Sequence, residues 1–214
     1  MIVRNVIMCC ALAGMFLAGC AQPVQAPPGW KFAFTTNFKD AAKMPEAWEV
    51  IEGQAKIADG KLVLTAEEFA HGQIVLKTSR FPGSVRLEVD ASLVGPDVSD
   101  LSPLLNGNEG GWDSGYLLQF GAGENMENRL RRVEEIVDAK ANDTMFVTPD
   151  KTHHVVAEND GGKLRLIVDG KEILSYTDTE PLKGKEHDQI GFLTWNCTMK
   201  IEKITIFTKA KPAK

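Results

Sequence analysis

The clearest signal in the chain is an alternation of apolar and polar residues with a period of two. Ser84 to Val94 places Val85, Leu87, Val89, Ala91 and Leu93 on one side and Arg86, Glu88, Asp90 and Ser92 on the other. That is the pattern of a half-buried β-strand. Lys61-Leu62-Val63-Leu64-Thr65 follows Asp59-Gly60, and Lys163 to Val168 is joined by Asp169-Gly170 to Lys171 to Tyr176. Asp-Gly supplies the positive φ angles of a two-residue hairpin turn, so both sites predict tight hairpins. Further strands are expected at Ile74–Thr78, Tyr116–Gly121, Arg129–Val137, His154–Glu158, Gln189–Trp195 and Met199–Thr208. Ala41–Trp48 is compatible with a helical turn, limited by Pro45. The longest irregular segment is Asp97 to Asp113, with Pro103, Gly107, Gly110 and Gly111, and long loops of this kind often carry function. Many short strands separated by turn signals predict an all-β sandwich or barrel, in one domain from about Trp30 to Thr208.

The N-terminus follows a different rule. Arg4 is the only charge before position 20, an apolar run fills Val6 to Phe16, and Leu17-Ala18-Gly19-Cys20 follows. A charged start, a short apolar core and small residues at a cleavage site make a secretory signal over 1–19. The apolar run is shorter than the roughly 20 residues a spanning helix needs. Leu-Ala-Gly-Cys resembles the lipobox of bacterial lipoproteins. That resemblance implies diacylglycerol on Cys20 and a place in the bacterial cell envelope, with the membrane reached through the lipid anchor alone. Ala21 after the cysteine implies the outer membrane if the cell is Gram-negative. Residues 20–29, with Pro23, Pro27 and Pro28, read as an extended tether, and 209–214 as a frayed tail.

Composition then narrows the chemistry. The chain has 4 cysteines, and Cys9 and Cys10 leave with the signal, so Cys197 is left single in the mature domain and no internal disulfide is expected. With 24 Lys and Arg against 29 Asp and Glu, nucleic acid is excluded as a partner. His71, His153, His154 and His187 are the histidines; adjacent His153 and His154 point to opposite faces of a strand and cannot share a metal. No His-Glu-x-x-His element, P-loop, dinucleotide fingerprint or Gly-x-Ser-x-Gly element occurs, so neither a metal centre nor a cofactor is expected. Structural calcium held by loop carboxylates and carbonyls stays open, although the acidic loops match no specific spacing.

The C-terminal third carries a longer pattern. Thr152-His153-His154-Val155-Val156-Ala157 leads to Asn159-Asp160-Gly161-Gly162, a strand, and Asp169-Gly170-Lys171; Gly191-Phe192-Leu193-Thr194-Trp195-Asn196 and Met199 to Phe207 close the chain. This resembles the concanavalin A-like jelly-roll superfamily, with its laminin-G-like and glucanase-like members. The resemblance implies a two-sheet antiparallel jelly-roll sandwich. Within it, Trp48-Glu49-Val50, Asp59-Gly60-Lys61-Leu62, Glu88 and Asp113-Ser114-Gly115-Tyr116 are similar to domains of the 3-keto-disaccharide hydrolase type. Asp113 stands where those domains usually have Asn.

Candidate site residues follow from chemistry. Glu88 and Asp90, two apart on a strand, share a face roughly 7 Å apart, within reach of the carboxyl separations glycosidases use, about 5–9.5 Å. The laminarinase-type alternation Glu-x-Asp-x-Glu is broken here by Ser92. Trp112, Tyr116 and Trp195 offer aromatic faces for the C–H surface of a sugar ring. Gln119 falls on the face opposite Tyr116 and Leu118, and Arg131 offers a planar fork for a carboxylate or hydroxyl. Two functions fit. One is an enzyme hydrolysing glycosidic bonds of small or 3-keto glycans, with Glu88 as acid or base and Asp90 in support. The other is a non-catalytic lectin-like or adhesion module, with a glycan as partner and any protein partner unspecified.

Overall fold

The computed structural model of the chain describes residues 24–209, apart from 96, 110 and 142–144. The signal, Cys20 and the tail beyond Lys209 lie outside the described residues. The chain folds into fifteen strands, among the described residues, that form two antiparallel sheets. Of the sandwich or barrel expected from the strand pattern the sequence forms the sandwich, the two-sheet arrangement that the jelly-roll resemblance implied.

The first sheet runs in the order β13 (Lys171–Thr177), β12 (Lys163–Val168), β11 (His153–Asp160), β6 (Val85–Val94), β15 (Thr198–Thr208), β4 (Lys61–Thr65) and β3 (Gln54–Ala58). β15 changes partner midway: Thr198–Ile201 pairs with β4, and Lys203–Thr208 pairs with β1 (Lys31–Asn37). The second sheet runs β10 (Glu135–Ala141), β9 (Glu127–Arg132), β8 (Tyr116–Gly121), β7 (Ser102–Gly107), β14 (Gln189–Trp195), β5 (His71–Leu76) and β2 (Trp48–Glu52).

The core lies between the sheets, and alternation decides what enters it. Val85, Leu87, Val89, Ala91 and Leu93 of β6 face Ile74, Leu76, Leu105, Leu118, Phe120 and Phe192 of the second sheet, all buried in one cluster. Both Asp-Gly turns take the expected backbone, with φ of 52° and 69° at Asp59 and Gly60 and 49° and 82° at Asp169 and Gly170.

Three expectations are corrected. The irregular segment Asp97 to Asp113 contains β7, a central strand of the second sheet, in which every residue is buried. Burial on both faces removes the alternation by which a strand is recognised. The strand expected over Arg129–Val137 is a hairpin, with β9 ending at Arg132, β10 beginning at Glu135, and Val133 at φ 56° in the turn. Ala41–Trp48 forms turns rather than a helix, closed by the Trp48 N–H donating to the Pro45 carbonyl (3.1 Å). Strands β1 and β2 were not anticipated either; most of their residues are exposed or half-exposed, so neither shows an apolar face.

Candidate functional site

The second sheet has two faces, and they differ in kind. Tyr116, Leu118 and Phe120 of β8 point inward to the core. Leu117 and Gln119 therefore point outward. On that outer face Leu104, Leu117 and Leu193, from β7, β8 and β14, form a small buried apolar floor with Trp112 packed against it. Trp112 is delivered by a single 3-10 turn, Trp112–Ser114, pinned when Ser114 Oγ accepts from the Asn108 N–H (2.8 Å).

Around this floor the side chains converge on a cavity of about 310 Å³ bordered by His71, Asp100, Trp112, Gln119, Arg131 and Trp195. The His71 ring sits between the two indoles, with centroids 5.2 Å from Trp112 and 4.7 Å from Trp195. Glu52 holds His71 from the neighbouring strand, one carboxylate oxygen 3.6 Å from Nδ1 and the other accepting the His71 N–H at 3.2 Å. The Arg131 guanidinium lies over the Trp112 ring, 5.7 Å from its centroid. Arg131 Nε donates to Gln119 Oε1 (3.0 Å), and Gln119 Nε2 donates to Asp100 Oδ1 (2.5 Å). The amide of Gln119 is thereby fixed in one orientation, because only Nε2 can donate to a carboxylate.

Asp100 anchors this relay. It is 7% exposed, and its other oxygen accepts from Ser99 Oγ (3.1 Å). Burial pushes its carboxyl above the ordinary range, against the hydrogen bonds from Gln119, Ser99 and Ser102 and the charge of Arg129. Its backbone has φ 63°.

A second cavity of about 900 Å³ continues from the first, sharing Ser99, Glu124 and Trp195 and extending past Phe69, Asp97, Pro149 and Asn196. Phe69 is 75% exposed at its rim. Of the ten non-glycine residues with positive φ among the described residues, five border this groove: Phe69, Asp100, Glu124, Asn125 and Asn196. Such conformations cost about 1–3 kcal/mol each and concentrate at functional sites.

Four of the seven residues singled out for catalysis or ligand binding meet here: Trp112, Gln119, Arg131 and Trp195. Tyr116 does not. It is fully buried in the core, its Oη donating to Asp178 Oδ2 (2.6 Å) and accepting from the Leu182 N–H (2.8 Å). Glu88 and Asp90 do not either. They project from the outer face of the first sheet, across the sandwich from the groove, where Glu88 accepts from Arg86 Nε (2.7 Å) and Asp90 contacts His154 Nδ1 (2.7 Å). His71, Asp100, Glu124 and Phe69 belong to the groove and were not singled out. Among the described residues no group of three or more His, Cys, Asp or Glu side chains stands close enough to hold a metal ion.

Compared with known proteins, the chain matches no family model and no curated protein. Solved structures do match. The carbohydrate-binding module CBM66 from Bacillus subtilis aligns with a TM-score of 0.62 at 13% identity, over 77% of this chain and 96% of that one. The catalytic domain of an endo-1,3-β-glucanase (laminarinase) from Thermotoga petrophila aligns at 0.60 and 13%, over 85% and 99%. The exoplasmic domain of VIP36 in a form bound to Ca²⁺ and Man3GlcNAc aligns at 0.59 and 12%, over 78% and 87%. At these identities the likeness concerns the fold alone, and that fold is the two-sheet jelly roll of lectins and glucanases.

Proposed function

We propose that the chain is a saccharide-binding module of the bacterial cell envelope, tethered through lipid on Cys20, and that the groove on the outer face of the second sheet is its binding site. The observation that carries this is the stack of Trp112, His71 and Trp195 beside a leucine floor, with Gln119 and Arg131 fixed at its edge. Sugar rings offer apolar C–H faces to such aromatic surfaces and hydroxyls to the polar groups around them. The likeness to carbohydrate-binding folds supports the same reading. The anchoring half rests on the Leu17-Ala18-Gly19-Cys20 sequence.

Geometry suits the tether. β1 enters the fold opposite Thr208, at one end of β15, while the Trp195-Asn196-Cys197 segment leads into Thr198 at the other end. Eleven strand residues span roughly 33 Å. The Trp195 end of the groove therefore lies at the end of the sandwich opposite the entry of β1.

The reading is tested by calorimetry of the lipid-free mature chain against a panel of oligosaccharides. Trp112→Ala and Trp195→Ala should each weaken binding by roughly tenfold or more while the fold is kept. No binding to any saccharide, or undiminished binding in both variants, would refute it.

One observation favours a second reading, hydrolysis of small or 3-keto glycans. Asp100 is a buried carboxyl raised above its ordinary range, bordering the same cavity as Glu124. A buried carboxyl whose proton affinity is raised suits a general acid. An assay for released reducing sugar on oxidised and unoxidised disaccharides distinguishes the two readings, since binding without turnover leaves the module alone.

A further inference from the structure

From the groove just described, and resting on that saccharide-binding reading, we infer that the ligand is an acidic saccharide and that Arg131 takes the carboxylate of a uronic acid residue.

Arginine pairing across the molecule points to this. Among the described residues Arg80 contacts Asp188 (3.4 Å), Arg86 contacts Glu88 (2.7 Å), Arg132 contacts Asp178 (2.7 Å), Arg129 pairs with Glu127 and Arg165 pairs with Glu158. Arg131 is the exception: no carboxylate of the described residues lies within ion-pair distance of it. Shortage of acids is not the reason, since the chain has 29 Asp and Glu against 24 Lys and Arg.

The guanidinium is nonetheless held still. Nε donates to Gln119 Oε1 (3.0 Å), Nη1 donates to the Glu134 carbonyl (3.0 Å), and Trp112 supports one face at 5.7 Å. Both acceptors are neutral, so they orient the fork and leave its charge uncompensated. Nη2 has no acceptor among the described residues. A planar, always-charged fork with donors to spare matches a carboxylate in shape and charge.

The other charged groups of the cavity do not cancel it. Arg129 is committed to Glu127, and its Nε donates to that carboxylate at 2.6 Å. His71 is engaged by Glu52. Both oxygens of Asp100 already accept protein donors, and the Gln119 amide stands between it and the guanidinium. Glu124 opposes an anion, but it stands exposed at the rim, where solvent screens it.

The test is a paired titration of the mature chain with short oligouronates and with the same oligosaccharides after reduction of their carboxyls to alcohols. The native chain should bind the acidic form at least roughly tenfold more tightly, less so at high salt. Arg131→Gln should bring the affinity for the acidic form down to that for the reduced form. Arg131→Lys keeps the charge but loses the fork, and should fall between them; it also serves if the glutamine variant folds poorly. Equal affinity of the native chain for both forms would overturn the inference while leaving saccharide binding standing. So would an acidic preference that survives Arg131→Gln. Binding of neither form, nor of any neutral saccharide, would overturn both readings.

Discussion

Tyr116→Phe separates the core from the site most sharply. It removes one oxygen from a side chain that is fully buried, and with it two hydrogen bonds. Tyr116 Oη donates to Asp178 Oδ2 at 2.6 Å and accepts from the Leu182 N–H at 2.8 Å, so it staples β8 to the segment after β13. Asp178 keeps Arg132 Nε at 2.7 Å and the Glu180 N–H at 2.8 Å, but Leu182 N–H is left buried without an acceptor. A hydrogen bond to a charged group contributes about 1.5–3 kcal/mol, and an orphaned buried N–H costs about 1–3 kcal/mol. The two are not additive, and a loss of roughly 2–4 kcal/mol is expected. For a domain of this size that lowers Tm by roughly 5–15 °C. Urea unfolding followed by tryptophan fluorescence measures it.

The pH dependence adds a signature. Burial alone would raise the Asp178 carboxyl, but hydrogen bonds from Tyr116, Arg132 and the Glu180 N–H, with the Arg132 charge, hold it below its ordinary range. A depressed folded pKa contributes stability above the unfolded value near 3.9, and that stability is lost as pH falls through the folded value. Without the Tyr116 hydroxyl the depression is smaller. The gap between native and variant should therefore narrow below about pH 4, leaving the orphaned Leu182 N–H as the residue of the effect. Saccharide affinity of the folded variant should be unchanged, because the Tyr116 ring faces the core. A variant as stable as the native chain within about 0.5 kcal/mol would refute the reasoning. So would one that kept its stability and lost binding.

Two further outcomes follow from the same geometry. Glu88→Gln removes a half-buried partner of Arg86 on the face across the sandwich, so ligand binding and any turnover should be unaffected and stability should drop by no more than about 1 kcal/mol; a loss of turnover with the fold intact would return Glu88 to the site. Asp169 is held down at about 2, since hydrogen bonds from the His154 N–H, Lys151 and His153 outweigh the raising effect of burial. Its stabilisation is present above about pH 3.9 and lost toward pH 2, so Asp169→Asn should flatten the acid limb of a stability-versus-pH curve, and an unchanged limb would contradict the assignment.

What the sequence disclosed depended on whether the signal was local. β6 and the two Asp-Gly hairpins were readable because alternation and positive-φ turns are written in consecutive residues. β7 was not, because Ser102-Pro103-Leu104-Leu105-Asn106-Gly107 is buried on both faces and contains turn-forming residues. The Val133 turn gave no sign either, since a β-branched residue is an unusual occupant of positive φ. The site shows the same division. Alternation put Gln119 opposite Tyr116, so the two could not both face a ligand, and packing in the core decides that Tyr116 is the inward one, with Leu118 and Phe120. For Glu88 and Asp90 alternation gives a shared face, but which of the two sheets bears that face is decided by tertiary packing. Asp100 was invisible for a similar reason: its burial depends on Gln119, Ser99 and Ser102 closing over it, and two of those three are its near neighbours in an unremarkable Ser-Asp-Leu-Ser stretch.

The two outer faces of the sandwich differ in a way that supports the proposed function. On the first sheet the charges satisfy one another: Arg86 joins Glu88 and Glu158, Arg165 joins Glu158 and Glu172, His154 meets Asp90, and Lys61 meets Glu202. Glu158 is only 1% exposed beneath its arginines. A ligand arriving there would have to displace bonds already made, for little gain. On the second sheet bonding capacity is left over. Among the described residues Arg131 has no carboxylate partner, and Gln73 Nε2, on β5 beside the loop that carries Trp112, is buried without an acceptor. Folding by itself removes such features, because an unpartnered buried donor lowers stability. Backbone strain at Phe69, Asp100, Glu124, Asn125 and Asn196 gathers along the same groove and likewise lowers stability. Unused donors and strained turns are independent costs, and their coincidence on one face supports the proposal that this face binds ligand, whatever the charge of the saccharide.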